Sequence, residues 1–228
     1  VSEVEAGAAG RTGSVAQWLA AEIKEEIFDG SLAPGEPIRE VQLSSSKAVS
    51  RRTVREALLM LASQGLVVHE RNRGATVRRL GASDVRDLYA VRRTLETQGA
   101  RNAPFATPVV RDRLSEAYSS LQEAAHRTDS REMVRADLRF HGAVVGLSGS
   151  PRLDGFYAQV SPEMEMALSV IRGGEVAEGW SAEQVIADHR TIFDALMERD
   201  VLGAQQAILA HIEFNERYLL GLIDRPSS

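Results

Sequence analysis

The chain of 228 residues contains no cysteine. Disulfides and thiolate-held metals are thereby excluded, and a transition-metal site would have to be built from histidines and carboxylates. Only five histidines are present to supply one. Long apolar runs are also missing: none approaches the roughly 20 residues needed to cross a bilayer, so no membrane association is expected. Residues 1–13, rich in Gly, Ala and small polar residues, have neither the basic start nor the apolar centre of a signal peptide. They read as a disordered tail, and the cytoplasm is the expected compartment. A hydrophobic fraction of 43% in a chain of this length is enough to bury one large or two small cores.

Acidic residues outnumber basic ones overall, but one segment reverses the balance. The chain carries a formal charge of −5, yet Arg39 to Arg79 holds nine basic residues against three acidic. Within that segment Ser50 can cap a helix whose first turns carry Arg51, Arg52, Thr53 and Arg55. Val54, Leu58, Leu61 and Ala62 recur at spacings of three and four, so one face packs inward and the arginines are left to reach phosphates or base edges. Gly65 ends the helix. Leu66–Glu70 and Ala75–Val77 then read as short strands joined by a turn containing Arg71, Arg73 and Gly74. An ordinary amphipathic helix followed by a solvated hairpin would share this pattern, but not its local charge. A basic module on an acidic body fits a reader of double-stranded DNA with a separate regulatory domain.

Upstream, an apolar stripe of Val15, Trp18, Leu19, Ile23, Ile27 and Phe28 predicts a helix from about Ser14 to Asp29, and Pro34 to Pro37 predicts a turn. A short helix over Glu40–Lys47 and a tight turn at Ala48-Val49 complete a winged helix-turn-helix domain over 14–77. Residues 78–83 are read as a linker. From 84 to 223 the pattern is all helical: 84–103, 109–127, 130–147, 152–171 with a loop at Gly173-Gly174, a fifth helix capped by Ser181 and Gln184 and reaching Arg199, and 201–223. The fold class is mainly α, a winged domain followed by a bundle of about six helices.

Several polar residues occupy core positions of that bundle. Asp137 and His141, four apart, share the inward stripe of Val134, Leu138, Val144 and Val145. His189 falls among Val185, Ile192 and Leu196, and His211 among Ala207, Ile208 and Leu219, with Asn215 one turn on. Burying these groups unpaired would cost several kcal/mol in all. One carboxylate and three imidazoles suit a divalent ion, zinc first and nickel or manganese next, with open positions for a ligand oxygen. Separately hydrogen-bonded core histidines would give the same spacing, and the pattern leaves both readings open. Arg92 interrupts the stripe of Val85, Leu88, Leu95 and Gly99; its partner is Glu96, Asp137 or the carboxylate of a bound ligand.

The series Ile27-Phe28-Asp29-Gly30, Pro34-Gly35-Glu36, Val49-Ser50-Arg51, Val54-Arg55-Glu56-Ala57-Leu58, Gly65-Leu66-Val67 and Arg73-Gly74 resembles the winged-helix domain of the GntR superfamily of bacterial regulators. Leu88-Tyr89-Ala90-Val91-Arg92, Asp137-Leu138-Arg139-Phe140-His141, Asp188-His189-Arg190 and His211-Ile212 resemble the FCD ligand-binding domain of its FadR-type branch, and six helices suit the VanR-like subgroup. The resemblance covers nearly the whole chain from Ser14. It implies a homodimer on a palindromic operator, a metal held by Asp137, His141, His189 and His211, and a small organic acid as effector. Two departures stand out: Lys47 and Ala48 replace the usual leucine and glycine before the turn, and Ser50-Arg51-Arg52-Thr53 replaces the common Ser-Arg-Thr-Pro.

The function expected is therefore a metabolite-responsive transcription regulator, read as a repressor that the acid releases, with Arg92 and Asn215 as effector contacts. A metal-dependent enzyme acting on a small carboxylate is the alternative from another class. No further carboxylate placed as a general base accompanies the cluster, and an enzyme has no use for the basic wing. A regulator in which the metal is itself the signal, or purely structural, is a third possibility.

Overall fold

The computed structural model describes residues 13–70, 74–127 and 129–224. Most of the expected tail, and Arg71 and Arg73 of the expected wing, lie outside the described residues. The chain is mainly α-helical and divides into two compact units, residues 1–79 and 80–228.

In the first unit, helix α1 (Val15–Phe28) is closed by a capping box in which the Ser14 hydroxyl accepts from the Gln17 N–H and the Gln17 side chain accepts from the Ser14 N–H. Its buried face is Ala16, Leu19, Ala20, Ile23 and Ile27, whereas Val15, expected in the stripe, is half exposed. Strand β1 (Pro37–Ile38) follows, then α2 (Glu40–Ser46), α3 (Arg51–Ser63), β2 (Val67–Glu70) and β3 (Gly74–Val77). The three strands form an antiparallel sheet ordered β1-β3-β2, with Val67 opposite Val77 and Ile38 opposite Ala75. The turn expected across Pro34 to Pro37 thus ends one residue early, because Pro37 and Ile38 pair with β3. Leu19, Ile23, Val54, Leu58, Leu61 and Leu66 are fully buried and hold α1, α3 and the sheet together.

The two departures before the recognition helix have structural answers. Ala48 adopts a left-handed φ of 53°, the conformation a glycine takes without strain. Lys47 does not pack as a leucine would: its Nζ donates to Glu22 and Glu26 of α1, both at 2.8 Å. Helix α2, with no buried residue of its own, is fastened to α1 through that ionic clasp. The Ser44 hydroxyl donates to the Val49 carbonyl at 2.6 Å and closes the turn.

The second unit is a bundle of six α-helices: α4 (Ala82–Asn102), α5 (Pro108–Ala125), α6 (Ser130–Gly146), α7 (Pro151–Ala177), α8 (Ala182–Met197) and α9 (Val201–Ile223). Helix α4 begins at Ala82, two residues earlier than the pattern suggests, because the Asp84 carboxylate accepts from the Gly81 N–H. The larger correction concerns α7, which continues through Gly173-Gly174 to Ala177. A Cβ at Gly174 would come 2.8 Å from Tyr218 Oη and 2.9 Å from Leu222 of α9, so this glycine serves close helix packing and breaks nothing. Gly99 does the same between α4 and α6, where a Cβ would collide with the Val144 carbonyl.

Candidate functional site

Helix α3 presents the first candidate surface. The Ser50 hydroxyl accepts from the Thr53 N–H at 3.1 Å and lies 2.8 Å from the Thr53 hydroxyl, so both serve the cap. Arg51, Arg52 and Arg55 are exposed. Arg52 Nε donates to Glu56 at 2.9 Å, and Arg55 Nε reaches back to Glu40 of α2 at 2.8 Å. Such solvated pairs contribute at most about 1 kcal/mol each, little enough for a phosphate to replace the carboxylate. Gly74 opens β3, exposed, with φ of 81°. Arg79 is tied to the Pro34 carbonyl through Nη2 at 3.0 Å and braces the unit.

The second candidate lies inside the bundle. Asp137 and His141 on α6, His189 on α8 and His211 on α9 are all buried, and one ligand atom from each falls within 4.8 Å of the other three. Metal bonds of about 2.0–2.2 Å put opposite ligand atoms roughly 4.4 Å apart at most, so the group closes on an ion with small side-chain movements. Each histidine has a neighbour at one or both ring nitrogens. A carboxylate can only accept, so His141 Nδ1 donates to Glu96 Oε2 at 2.7 Å, which leaves Nε2 as the lone-pair nitrogen; it is buried without a hydrogen-bond partner. His189 Nδ1 lies 3.1 Å from the Val185 carbonyl and Nε2 lies 2.9 Å from Asp137 Oδ1. Both neighbours are acceptors, and a neutral ring can donate to only one. His211 Nε2 is 2.9 Å from the Asn215 amide, while His211 Nδ1, 3.8 Å from Asp188 Oδ2, and Asp137 Oδ2 have no hydrogen-bond partner.

The electrostatics favour metal-binding protonation states. Burial opposes ionisation of Asp137, but His141 and His189 hold its carboxyl well below the usual range. Burial, reinforced by the Arg92 charge, pushes His141 down, and burial takes His211 to about 3. An ionised Asp137 beside neutral imidazoles at His141 and His211 suits a divalent cation.

Arg92, 1% exposed, donates from Nε to Glu96 Oε1 at 2.7 Å, so Glu96 is the partner among the alternatives left open by its spacing. Glu96 thereby joins Arg92 to His141. Burial opposes that carboxylate too, yet His141 and Arg92 bring it down to about 2. Arg92 Nη1 and Nη2 are buried without hydrogen-bond partners.

A cavity of about 40 Å³ opens beside the cluster, reached by Asp137, His189, His211 and Asn215 and extending to Arg172 and Glu175 of α7. Arg92 does not line it. Arg172 and Glu175 were invisible to the pattern because the Gly173-Gly174 pair placed them beside a loop, whereas the continued helix turns them inward. Glu96 as the bridge to His141 was equally hidden, since its spacing relates it only to Arg92.

Helix, turn, helix and wing in front of a helical bundle with a buried polar cluster define a two-part regulator. Residues 16–77 match the bacterial regulatory proteins of the gntR family, and residues 87–214 match the FCD domain. The chain is 31% identical over 196 residues to the Nta operon transcriptional regulator of Aminobacter aminovorans, covering 83% of this chain and 87% of that one. It is 28% identical over 212 residues to the HTH-type transcriptional regulator YdhC of Bacillus subtilis, covering 89% and 90%. The crystal structure of a GntR regulator from Rhodococcus sp. RHA1 superposes with a TM-score of 0.77 at 30% identity, covering 92% of this chain and 99% of that one. The chain belongs to the GntR family of transcription regulators, with an FCD domain as its second unit. No helix among the described residues is long and apolar enough to cross a membrane.

Proposed function

We propose that this regulator acts as a homodimer on a palindromic operator and is a repressor, released when a small organic acid binds at a divalent metal in the bundle. The observation that carries the sensing half is the set of buried, unsatisfied polar atoms: Asp137 Oδ2, His141 Nε2, His211 Nδ1 and the two Nη groups of Arg92. Leaving such groups bare costs about 1–3 kcal/mol each, more where charged, and one cation with one carboxylate would satisfy them together. Asp137, His141, His189 and His211 hold the ion; when bound, it supplies positive charge and open positions for an anion. Arg92, which does not line the cavity, offers its Nη fork to the carboxylate only where the ligand widens the cavity toward α4; Glu96 keeps both Arg92 and His141 in place, and Asn215 faces a neighbouring hydroxyl or carbonyl. The domain assignment follows: 14–77 reads DNA, 78–83 links, and 84–223 senses.

On the DNA side, Arg51, Arg52 and Arg55 supply the principal contacts, with Ser50, Thr53, Arg71, Arg73 and Gly74 contacting DNA in support. The exposure of Arg51, Arg52 and Arg55 at a helix N-terminus within the basic segment supports this reading. Release requires that the acid favour the dimer geometry that fits the operator worse.

The test combines elemental analysis with operator binding. Protein prepared without chelator should hold about one metal per chain, by the arithmetic of a single four-ligand cluster, and His189→Ala/His211→Ala should hold none. Arg51→Ala/Arg55→Ala should lose operator binding while keeping its metal. Unchanged metal content in the first variant, or normal operator binding by the second, refutes the corresponding half.

A further inference from the structure

The cavity beside the cluster carries a second charged pair with no task in the scheme above. Arg172 and Glu175 lie one turn apart on α7, both line the cavity, and only 13% and 11% of their side chains are exposed. Their contact is a single one, Arg172 Nη1 to Glu175 Oε2 at 3.3 Å. Charge-assisted hydrogen bonds settle near 2.7–2.9 Å, and a guanidinium meeting a free carboxylate face-on makes two of them. Arg172 Nε is buried with no partner at all. Burial lifts the Glu175 carboxyl above its usual range despite Arg172 beside it, which marks the pairing as incomplete. A donor fork held by one long contact at the wall of a ligand cavity is better matched to an incoming carboxylate than to its neighbour on the same helix.

We infer that Arg172 is the distal anchor of the effector site, taking the second carboxylate of a short dicarboxylic acid whose first carboxylate lies at the metal cluster, with Glu175 as the internal stand-in it displaces. This assignment rests on the reading of the cluster as an effector site. The same cavity is lined by both groups: Asp137, His189 and His211 from α6, α8 and α9, and Arg172 and Glu175 from α7. At about 40 Å³ the cavity has room for water and not for a diacid. Entry of the ligand therefore requires Glu175 to swing off Arg172, and the exchange makes Glu175 a competitor that sets the threshold for binding. A monocarboxylate gains nothing from Arg172, so the pair selects for a second negative charge.

The experiment is calorimetric titration of the full-length, zinc-loaded protein with acids paired by chain length: propionate with malonate, butyrate with succinate, valerate with glutarate. At least one diacid is expected to bind on the order of tenfold or more tighter than its monoacid partner, the scale of one charge-assisted contact. Arg172→Met should abolish that advantage and leave the monoacid unchanged, whereas Glu175→Gln should tighten the diacid. If Arg172→Met proves unstable, Glu175→Gln decides, and an unchanged or weaker diacid affinity overturns the assignment. A diacid advantage that is absent from the wild type, or that survives in Arg172→Met, overturns it as well. Monoacid binding without diacid preference removes only the role of Arg172; failure of every acid to bind removes the effector reading with it.

Discussion

Replacing Glu96 by Gln tests how the bundle holds its polar centre. The side chain keeps its shape, but one of two oxygens becomes an NH₂ group. Glu96 is fully buried and accepts from Arg92 Nε and His141 Nδ1, both at 2.7 Å. With its oxygen turned to Arg92, the amide can meet His141 only in the tautomer that accepts at Nδ1 and carries the proton on Nε2, and the Arg92 guanidinium loses its adjacent counter-charge. Breaking a buried pair from one side costs about 3–5 kcal/mol, a large share of a typical total of about 5–15 kcal/mol. At roughly 2–4 °C per kcal/mol for a chain of this size, melting of the bundle should fall by roughly 6–20 °C, measured by circular dichroism on metal-free protein. The double variant Arg92→Met/Glu96→Met removes both charges and should recover most of the loss. It should not recover zinc affinity, which competition with a chelator should show reduced about 10–100-fold in both variants, because no carboxylate then holds the His141 proton on Nδ1. A Glu96→Gln variant that melts within about 2 °C of wild type, or a double variant that melts no higher than the single one, would show that Glu96 does not hold the polar centre.

Three further outcomes follow from the packing. Gly99→Ala forces a methyl group against the Val144 carbonyl and should destabilise the protein by about 1–3 kcal/mol in urea, since backbone on both sides must shift; a neutral result would mean that α4 and α6 do not approach this closely. Ala48→Gly relieves a left-handed backbone and should stabilise the first unit by about 0.5–1 kcal/mol, seen in its denaturation midpoint; a loss would refute the strain. Hydrogen bonds donated to Glu22, then Glu26, raise the Lys47 pKa above its ordinary value. The clasp's stabilisation is therefore complete below the unfolded pKa of about 10.4 and lost as pH rises through the higher folded value. Urea midpoints of the first unit should fall at strongly alkaline pH, less so in Lys47→Met, and equal falls would count against the clasp.

Periodicity, caps and charge are local, and what depends on them was legible in the chain. The Ser50 cap, the Ser181–Gln184 capping box, the six bundle helices and the inward direction of Asp137, His141, His189 and His211 each follow from neighbours within about one turn. The spacing of Arg92 also announced an anion partner, and left its identity among three. Tertiary structure alone decided the rest, because the deciding atoms come from other elements. Gly174 reads as a helix breaker until α9 is seen to press Tyr218 and Leu222 against it, and only then does α7 run on and turn Arg172 and Glu175 to the cavity. Pro37 and Ile38 become a strand only because β3 supplies a partner. Lys47 in a leucine's place is explained by two carboxylates more than 20 residues earlier, and Glu96 becomes the hinge of the polar centre only when α6 brings His141 against it. Helix period places a side chain on a face, but what it meets there depends on how the helices pack.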